Sequence, residues 1–163
     1  MAEVYLGLGT NLGHKEENIQ IAIELIKEQI GQLIDLSALY TSKPWGFSSS
    51  NDFINAVAKV ETSLSPEDLL HQTQQIEMKI GRSDKSIDNS YKDRLIDIDI
   101  LLYDRAVIKS KELCIPHPYI NEREFVLIPL LELSPNLIDP ISGEQYSKSI
   151  KDKHTLHKLN NKA

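Results

Sequence analysis

The chain has 163 residues, 40% of them hydrophobic and 26% charged, enough for one compact domain over 1–163 with its own core and too few for two. A net charge of -6 repels a phosphate backbone, which argues against general nucleic-acid binding and leaves any phosphate chemistry to local cations. Cys114 stands alone, so no intrachain disulfide is expected and the compartment reads as reducing and cytoplasmic; no signal-peptide pattern opens the chain, and no apolar run approaches the roughly 18 to 20 residues of a bilayer span.

Val4 to Leu8 reads as a short strand closed by Gly7, Gly9 and Gly13, with a polar turn at Thr10-Asn11 opening a helix. Ile19, Ala22, Ile23, Ile26 and Ile30 give that helix its apolar stripe, with Glu16 and Glu17 near its positive end and Gly31 after its last turn. Leu33 to Tyr40 reads as a strand, followed by a loop from Ser42 to Asp52 whose Trp45 and Phe47 suit a loop that folds over something. Phe53 to Glu61 alternates, placing Phe53, Asn55 and Val57 on one face and Ile54, Ala56 and Ala58 on the other. Ser65 caps a helix with Pro66 in its first position, whose buried stripe is Leu69, Thr73, Ile76 and Ile80; Gln74 and Glu77 share a flanking face, and Gly81 ends it.

Ser83 to Asp93 is long, polar and without periodicity, the pattern of a lid or of disorder, and is bracketed by Arg82 and Arg94. Leu95 to Tyr103 is the strongest strand pattern, and Leu127 to Leu133 reads as a buried helix stopped by Pro135. The order βαββαβ with a C-terminal helical extension predicts an α+β, ferredoxin-like sandwich: a mainly antiparallel sheet with helices packed on it. His154 and His157 in the polar tail read as surface residues.

In Leu95-Ile96-Asp97-Ile98-Asp99-Ile100 the aspartates face one way and the isoleucines the other, toward the core. Two strand rises separate the aspartate Cα atoms by about 6.6 Å. Carboxylates at that spacing can share a site holding two divalent ions about 3.5 to 4 Å apart. Oxygen ligands select magnesium over zinc. A D-x-D alone also fits the wet face of a half-exposed sheet; the flanking arginines, suited to a polyphosphate, favour a functional site. Gly7-x-Gly9 lacks a third glycine at Leu12 and no G-x-x-x-x-G-K-[ST] occurs, so dinucleotide and P-loop readings fail. A two-metal nuclease or phosphatase, or a non-enzymatic module binding RNA or a small ligand, stays open on these residues.

Gly9-Thr10-Asn11-Leu12, Phe53-Ile54-Asn55-Ala56, Gln74-x-x-Glu77, Gly81-Arg82, Arg94-x-x-Asp97-x-Asp99, Pro116-His117-Pro118 and Glu122-Arg123-x-Phe125 together resemble the pterin pyrophosphokinase family over most of the chain. The resemblance implies transfer of a diphosphate from ATP to 6-hydroxymethyl-7,8-dihydropterin in folate biosynthesis, with ATP bound first. It implies two magnesium ions on Asp97 and Asp99, and Arg82 and Arg94 gripping the phosphates. Gln74, Glu77, Ile100, His117 and Arg123 would line the nucleotide site. Phe53 and Phe125 would stack on the pterin, Asn55 would bond its polar edge, and Ser42, Pro44 and Trp45 would complete the pocket. Without the resemblance, Phe125 reads equally well as a core residue and His117 as a turn residue, and Phe53 reads more often as core than not, whereas Asn55 in an apolar strand needs partners. The chain departs from the family in having Tyr91-Lys92-Asp93-Arg94 where Trp-Gly-Pro-Arg is usual, and Glu112 and Cys114 where some relatives have arginine and threonine. The expected partners are ATP and the pterin, with no nucleic acid or membrane, and a monomer is the default state.

Overall fold

A computed structural model describes residues 1–43, 51–81, 95–150 and 156–159. In chain order the elements are β1 (Ala2–Thr10), α1 (Lys15–Gln29), β2 (Gly31–Leu36), β3 (Tyr40–Ser42), β4 (Phe53–Thr62), α2 (Pro66–Gly81), β5 (Asp97–Tyr103), β6 (Ile108–Lys109), β7 (Cys114–Ile115) and α3 (Glu124–Leu133). A 3-10 turn at Tyr146–Ser149 and β8 (His157–Lys158) follow. The long strands lie in the order β5-β1-β4-β2, all antiparallel; β3 shares the far edge of β4 with β2, and β8 pairs with β3. This is the ferredoxin-like α+β sandwich the sequence pattern predicts.

Helices α1 and α2 cover one face of the sheet. Ile19, Ala22, Ile23, Ile26, Leu69 and Ile76 pack there against Val4, Leu6, Leu8, Ala58, Val60, Ile98 and Ile100. The cap of α2 forms as expected, the Asp68 N–H donating to Ser65 Oγ at 3.1 Å. Against the opposite face, Val126, Leu127 and Leu130 of α3 pack on Tyr5, Val57, Leu101 and Leu102. Full burial of each such side chain contributes about 1.5–3 kcal/mol, which fixes the strand faces.

Five details depart from the sequence reading. The strand expected at Leu33–Tyr40 is two strands. Ser37 ends the first, its Oγ accepting the Val57 N–H at 2.9 Å, after which the Ala38 N–H leaves β4 for Glu132 Oε2 on α3 at 3.0 Å. The chain returns at Tyr40, whose hydroxyl donates to the other oxygen of Glu132 at 2.6 Å. Secondly, Gly31 opens β2 instead of merely ending α1, because the backbone of Glu61 passes so close that a Cβ there would collide with its carbonyl oxygen. Thirdly, β1 runs straight through Gly7 and Gly9 to Thr10, held by β4 and β5 on its two sides. Lastly, α3 begins at Glu124, ahead of the expected Leu127, the Arg123 carbonyl accepting the first helical N–H groups, and β8 is a strand the polar tail does not announce.

A bulge in β5 also bears on the site. Tyr5 pairs with Leu102 and Leu6 with Ile100, so Leu101 is an extra residue. Its carbonyl accepts the His117 N–H at 2.9 Å, docking the segment after β7 beside β5.

Candidate active site

Three antiparallel strands in register bring the candidate residues together. Gly9 of β1 pairs with Asp97 of β5 on one side and Asn55 of β4 on the other, and Asn55 pairs in turn with Tyr40 of β3. One step along, Gly7 lies between Asp99 and Val57. Cross-strand partners share a face, so Asp97, Asp99, Asn55 and Phe53 rise from the same side of the sheet. Between them β1 presents bare backbone. Ile96, Ile98 and Ile100, each 5% exposed, point into the opposite core as the alternation requires.

Asn55 is 3% exposed, and its amide orientation is set by hydrogen bonds. Its Nδ2 donates to Ser42 Oγ at 2.7 Å and, at longer range, to the Tyr40 carbonyl at 3.5 Å. Its Oδ1 therefore faces the hollow above Gly9, as does the ring of Phe53: the position of a Cβ on Gly9 is 3.3 Å from Asn55 Oδ1 and 3.6 Å from Phe53 Cδ1. Phe125 lies half-buried in the first turn of α3.

The outer edge of β5 carries the remaining polar groups. Glu77 of α2 accepts the Ile98 N–H at 2.7 Å. Burial, and next the negative charge of Asp97, push the Glu77 carboxyl up to about 8. Gln74 lies one turn earlier on α2 and is exposed. His117 accepts the Tyr119 N–H at Nδ1, 3.2 Å away, so its neutral ring carries the proton on Nε2. Burial, then the Arg123 charge, lower its pKa to about 4 and keep it neutral. Arg123 is 7% exposed. Its Nη1 lies 3.9 Å from Asp99 Oδ2, and its guanidinium sits 4.9 Å from the Tyr119 ring centre and 5.7 Å from that of Phe125.

The fold thus gathers Asp97, Asp99, Glu77, His117, Arg123, Phe125, Phe53, Asn55 and Ser42 around one end of the sheet. The side chain of Ile100 is instead in the helix-side core, which leaves its backbone, on the outer edge of β5 like that of Ile98, as its only route to a ligand. Pro44, Trp45, Arg82 and Arg94 lie outside the described residues. Sequence reasoning missed Tyr119 and treated Gly7 and Gly9 as turn residues. The missed signal was that Gly7-x-Gly9 has the same period of two as Asp97-x-Asp99, so the two motifs can pair.

Among the described residues no cluster of three or more His, Cys, Asp or Glu side chains forms a metal cage. Two half-buried carboxylates fit a hard cation such as magnesium, which takes one or two protein carboxylates and completes its shell with water and substrate phosphate. Among the described residues no helix is long and apolar enough to cross a membrane.

Residues 5–135 match the family described as 7,8-dihydro-6-hydroxymethylpterin-pyrophosphokinase (HPPK). The 2-amino-4-hydroxy-6-hydroxymethyldihydropteridine pyrophosphokinase of Porphyromonas gingivalis is 45% identical over 136 residues, covering 83% of this chain and 92% of that protein. The protein of the same name from Aquifex aeolicus is 43% identical over 152 residues, covering 93% and 90%. Among solved structures, a Plasmodium falciparum HPPK-DHPS matches 91% of this chain with a TM-score of 0.74 at 15% identity, a likeness of fold in which this chain spans 44% of the longer protein. The chain belongs to the 7,8-dihydro-6-hydroxymethylpterin-pyrophosphokinase family.

Proposed function

We propose that this chain transfers a diphosphate from ATP to the hydroxymethyl group of 6-hydroxymethyl-7,8-dihydropterin, releasing AMP, in folate biosynthesis and with magnesium as the required cation. The observation that carries the reading is the row Asp97, Gly9, Asn55 across three strands, which sets a carboxylate and an oriented amide on either side of bare backbone. Family membership names the substrates, and the row agrees with a cation-bound phosphate on one side and a polar-edged heterocycle on the other.

In this reading the pterin lies flat between Phe53 and Phe125 while Asn55 Oδ1 accepts from its ring N–H groups. Ser42 holds the Asn55 amide in that orientation, and Pro44 and Trp45 complete the pocket. The nucleotide lies along the outer edge of β5, against Gln74, Glu77, His117, Arg123 and the backbone of Ile100. His117, neutral and protonated at Nε2, donates to the polyphosphate, and Arg123 meets it as a fixed cation. Asp97 and Asp99 would hold two magnesium ions. Bound there, the ions would supply charge neutralisation on the phosphates and acidify the attacking alcohol. The pterin alcohol oxygen bonds to the β-phosphorus as the bond from that phosphorus to the oxygen bridging to the α-phosphate breaks; AMP leaves and the alcohol proton passes to solvent. Arg82 and Arg94 offset the charge that develops on the transferred group and on AMP. No residue is assigned as general base, so catalysis is positioning plus charge neutralisation. In this reading the active form is a monomer in the cytoplasm.

Protein incubated with ATP, magnesium and the pterin should form AMP and pterin diphosphate in equal amounts, and neither without pterin or with EDTA. ADP or free phosphate formed without pterin would contradict the proposal.

A further inference from the structure

The position between the two half-sites is a glycine for a reason the backbone does not supply. Among the described residues only Gly13 and Gly143 have glycines in the left-handed region, so Gly9 adopts a conformation open to any residue. A glycine inside a strand also weakens it, having no side chain to pack and more freedom to lose on folding. Its surroundings differ. A Cβ on Gly9 would stand 3.3 Å from Asn55 Oδ1 and 3.6 Å from Phe53 Cδ1, the two groups that face the hollow. Asn55 cannot turn aside cheaply, because its amide is tied to Ser42 Oγ at 2.7 Å and the residue is buried. The neighbouring Gly7 meets only the side-chain end of Leu101, at 3.4 Å, which can shift.

We infer that Gly9 is a positioning residue for substrate: its missing side chain sets the depth of the heterocycle pocket and keeps open the passage through which the acceptor alcohol reaches the phosphate end at Asp97. The inference rests on the proposed pyrophosphokinase reaction and adds a residue whose contribution is an absence. Any side chain at position 9 raises the floor beneath the heterocycle and pushes the Asn55 carbonyl out of line. Nucleotide binding, on the far side of Asp97 along the outer edge of β5, is left alone.

The test is Gly9→Ala in the full chain, with steady-state kinetics in pterin, ATP affinity by titration and the thermal midpoint. The inference predicts a pterin KM raised about tenfold or more, the scale of one methyl group in a closed pocket. ATP affinity should stay within about twofold, while the midpoint balances the displaced Asn55 against the better fit of alanine in a strand and does not decide the matter. A merely structural role would weaken both substrates together. A double variant with Asn55→Ala relieves the crowded contact that would strain the single one, so Gly9→Ala should add less to the pterin KM there than it does in the wild type, the raised floor being the part that remains. An unchanged pterin KM in Gly9→Ala, or full additivity in the double variant, overturns the inference. Wild-type protein that makes no pterin diphosphate would instead overturn the proposed function, before position 9 is tested.

Discussion

The carboxylate of Glu77 accepts the backbone N–H of Ile98, 2.7 Å away, so a helix residue closes the open edge of the strand that carries Asp97 and Asp99. The same carboxylate is protonated well above the ordinary range, up to about 8, through burial first and the charge of Asp97 second. Between about 4.5, its ordinary value, and about 8 the folded chain keeps a proton that the unfolded chain has released. Stability of the metal-free protein should therefore fall as pH rises through that window and level off above it. Glu77→Gln, which can still accept from Ile98, should flatten the slope. Urea midpoints measured in EDTA across the window check this, and an equal slope in both proteins would contradict it.

For His117 the sign is opposite. Its pKa is lowered to about 4, so between that value and the ordinary 6.5 the unfolded chain holds a proton the folded one lacks. Its contribution to stability is full above about 6.5 and is lost as pH falls toward 4. Imidazole nitrogen shifts followed by NMR should show a neutral ring protonated at Nε2 near the ordinary 6.5 and half-protonation only near 4. A midpoint near 6.5 would mean the ring is solvated.

Asn55 and Ser42 should separate pterin binding from ATP binding. Asn55→Ala removes the acceptor that faces the hollow, and pterin affinity should drop about 10- to 100-fold with ATP affinity unchanged. Ser42→Ala leaves the Asn55 amide with only the 3.5 Å contact to Tyr40, so a smaller loss in the same direction is expected. Titration of each variant with both ligands distinguishes this from general damage, in which both affinities would fall.

Tyr40 and Glu132 tie α3, which carries Phe125, to β3, which backs Asn55. Tyr40→Phe deletes a hydrogen bond to a charged group and should cost about 1–2 kcal/mol, the exposure of Glu132 keeping it at the low end. Denaturant unfolding reads this directly. No change in midpoint would show that the clasp adds nothing to the packing of α3.

The long strands and the two helices on the sheet's first face were legible because they follow from period: alternation at Phe53–Ala58 and Ile96–Ile100, and the 3.6-residue stripes of α1 and α2. The break between β2 and β3 was not, since it depends on Glu132, 94 residues away in sequence, taking the Ala38 N–H. The aspartate pair was visible through its spacing, and the pterin face through Asn55. Tyr119 was not, because its place over Arg123 is fixed by a turn held on His117 and by the docking of that turn on Leu101. Gly9 carried no signal of its own; only the register of β1 with β4 and β5 shows what a side chain there would meet.

The central claim is that Asp97 and Asp99 hold the cations that bring ATP to the acceptor, and the most direct measurement is turnover in Asp97→Asn and Asp99→Asn beside their thermal midpoints. Each substitution keeps the size of the side chain and removes its charge. The account predicts turnover reduced about a thousandfold in both variants. It predicts a midpoint no lower than wild type for Asp97→Asn, where the charge beside Glu77 is gone, and a modest drop for Asp99→Asn, whose carboxylate faces the buried Arg123, so that in neither variant does unfolding account for the lost turnover. Turnover retained within a few-fold in both would contradict it.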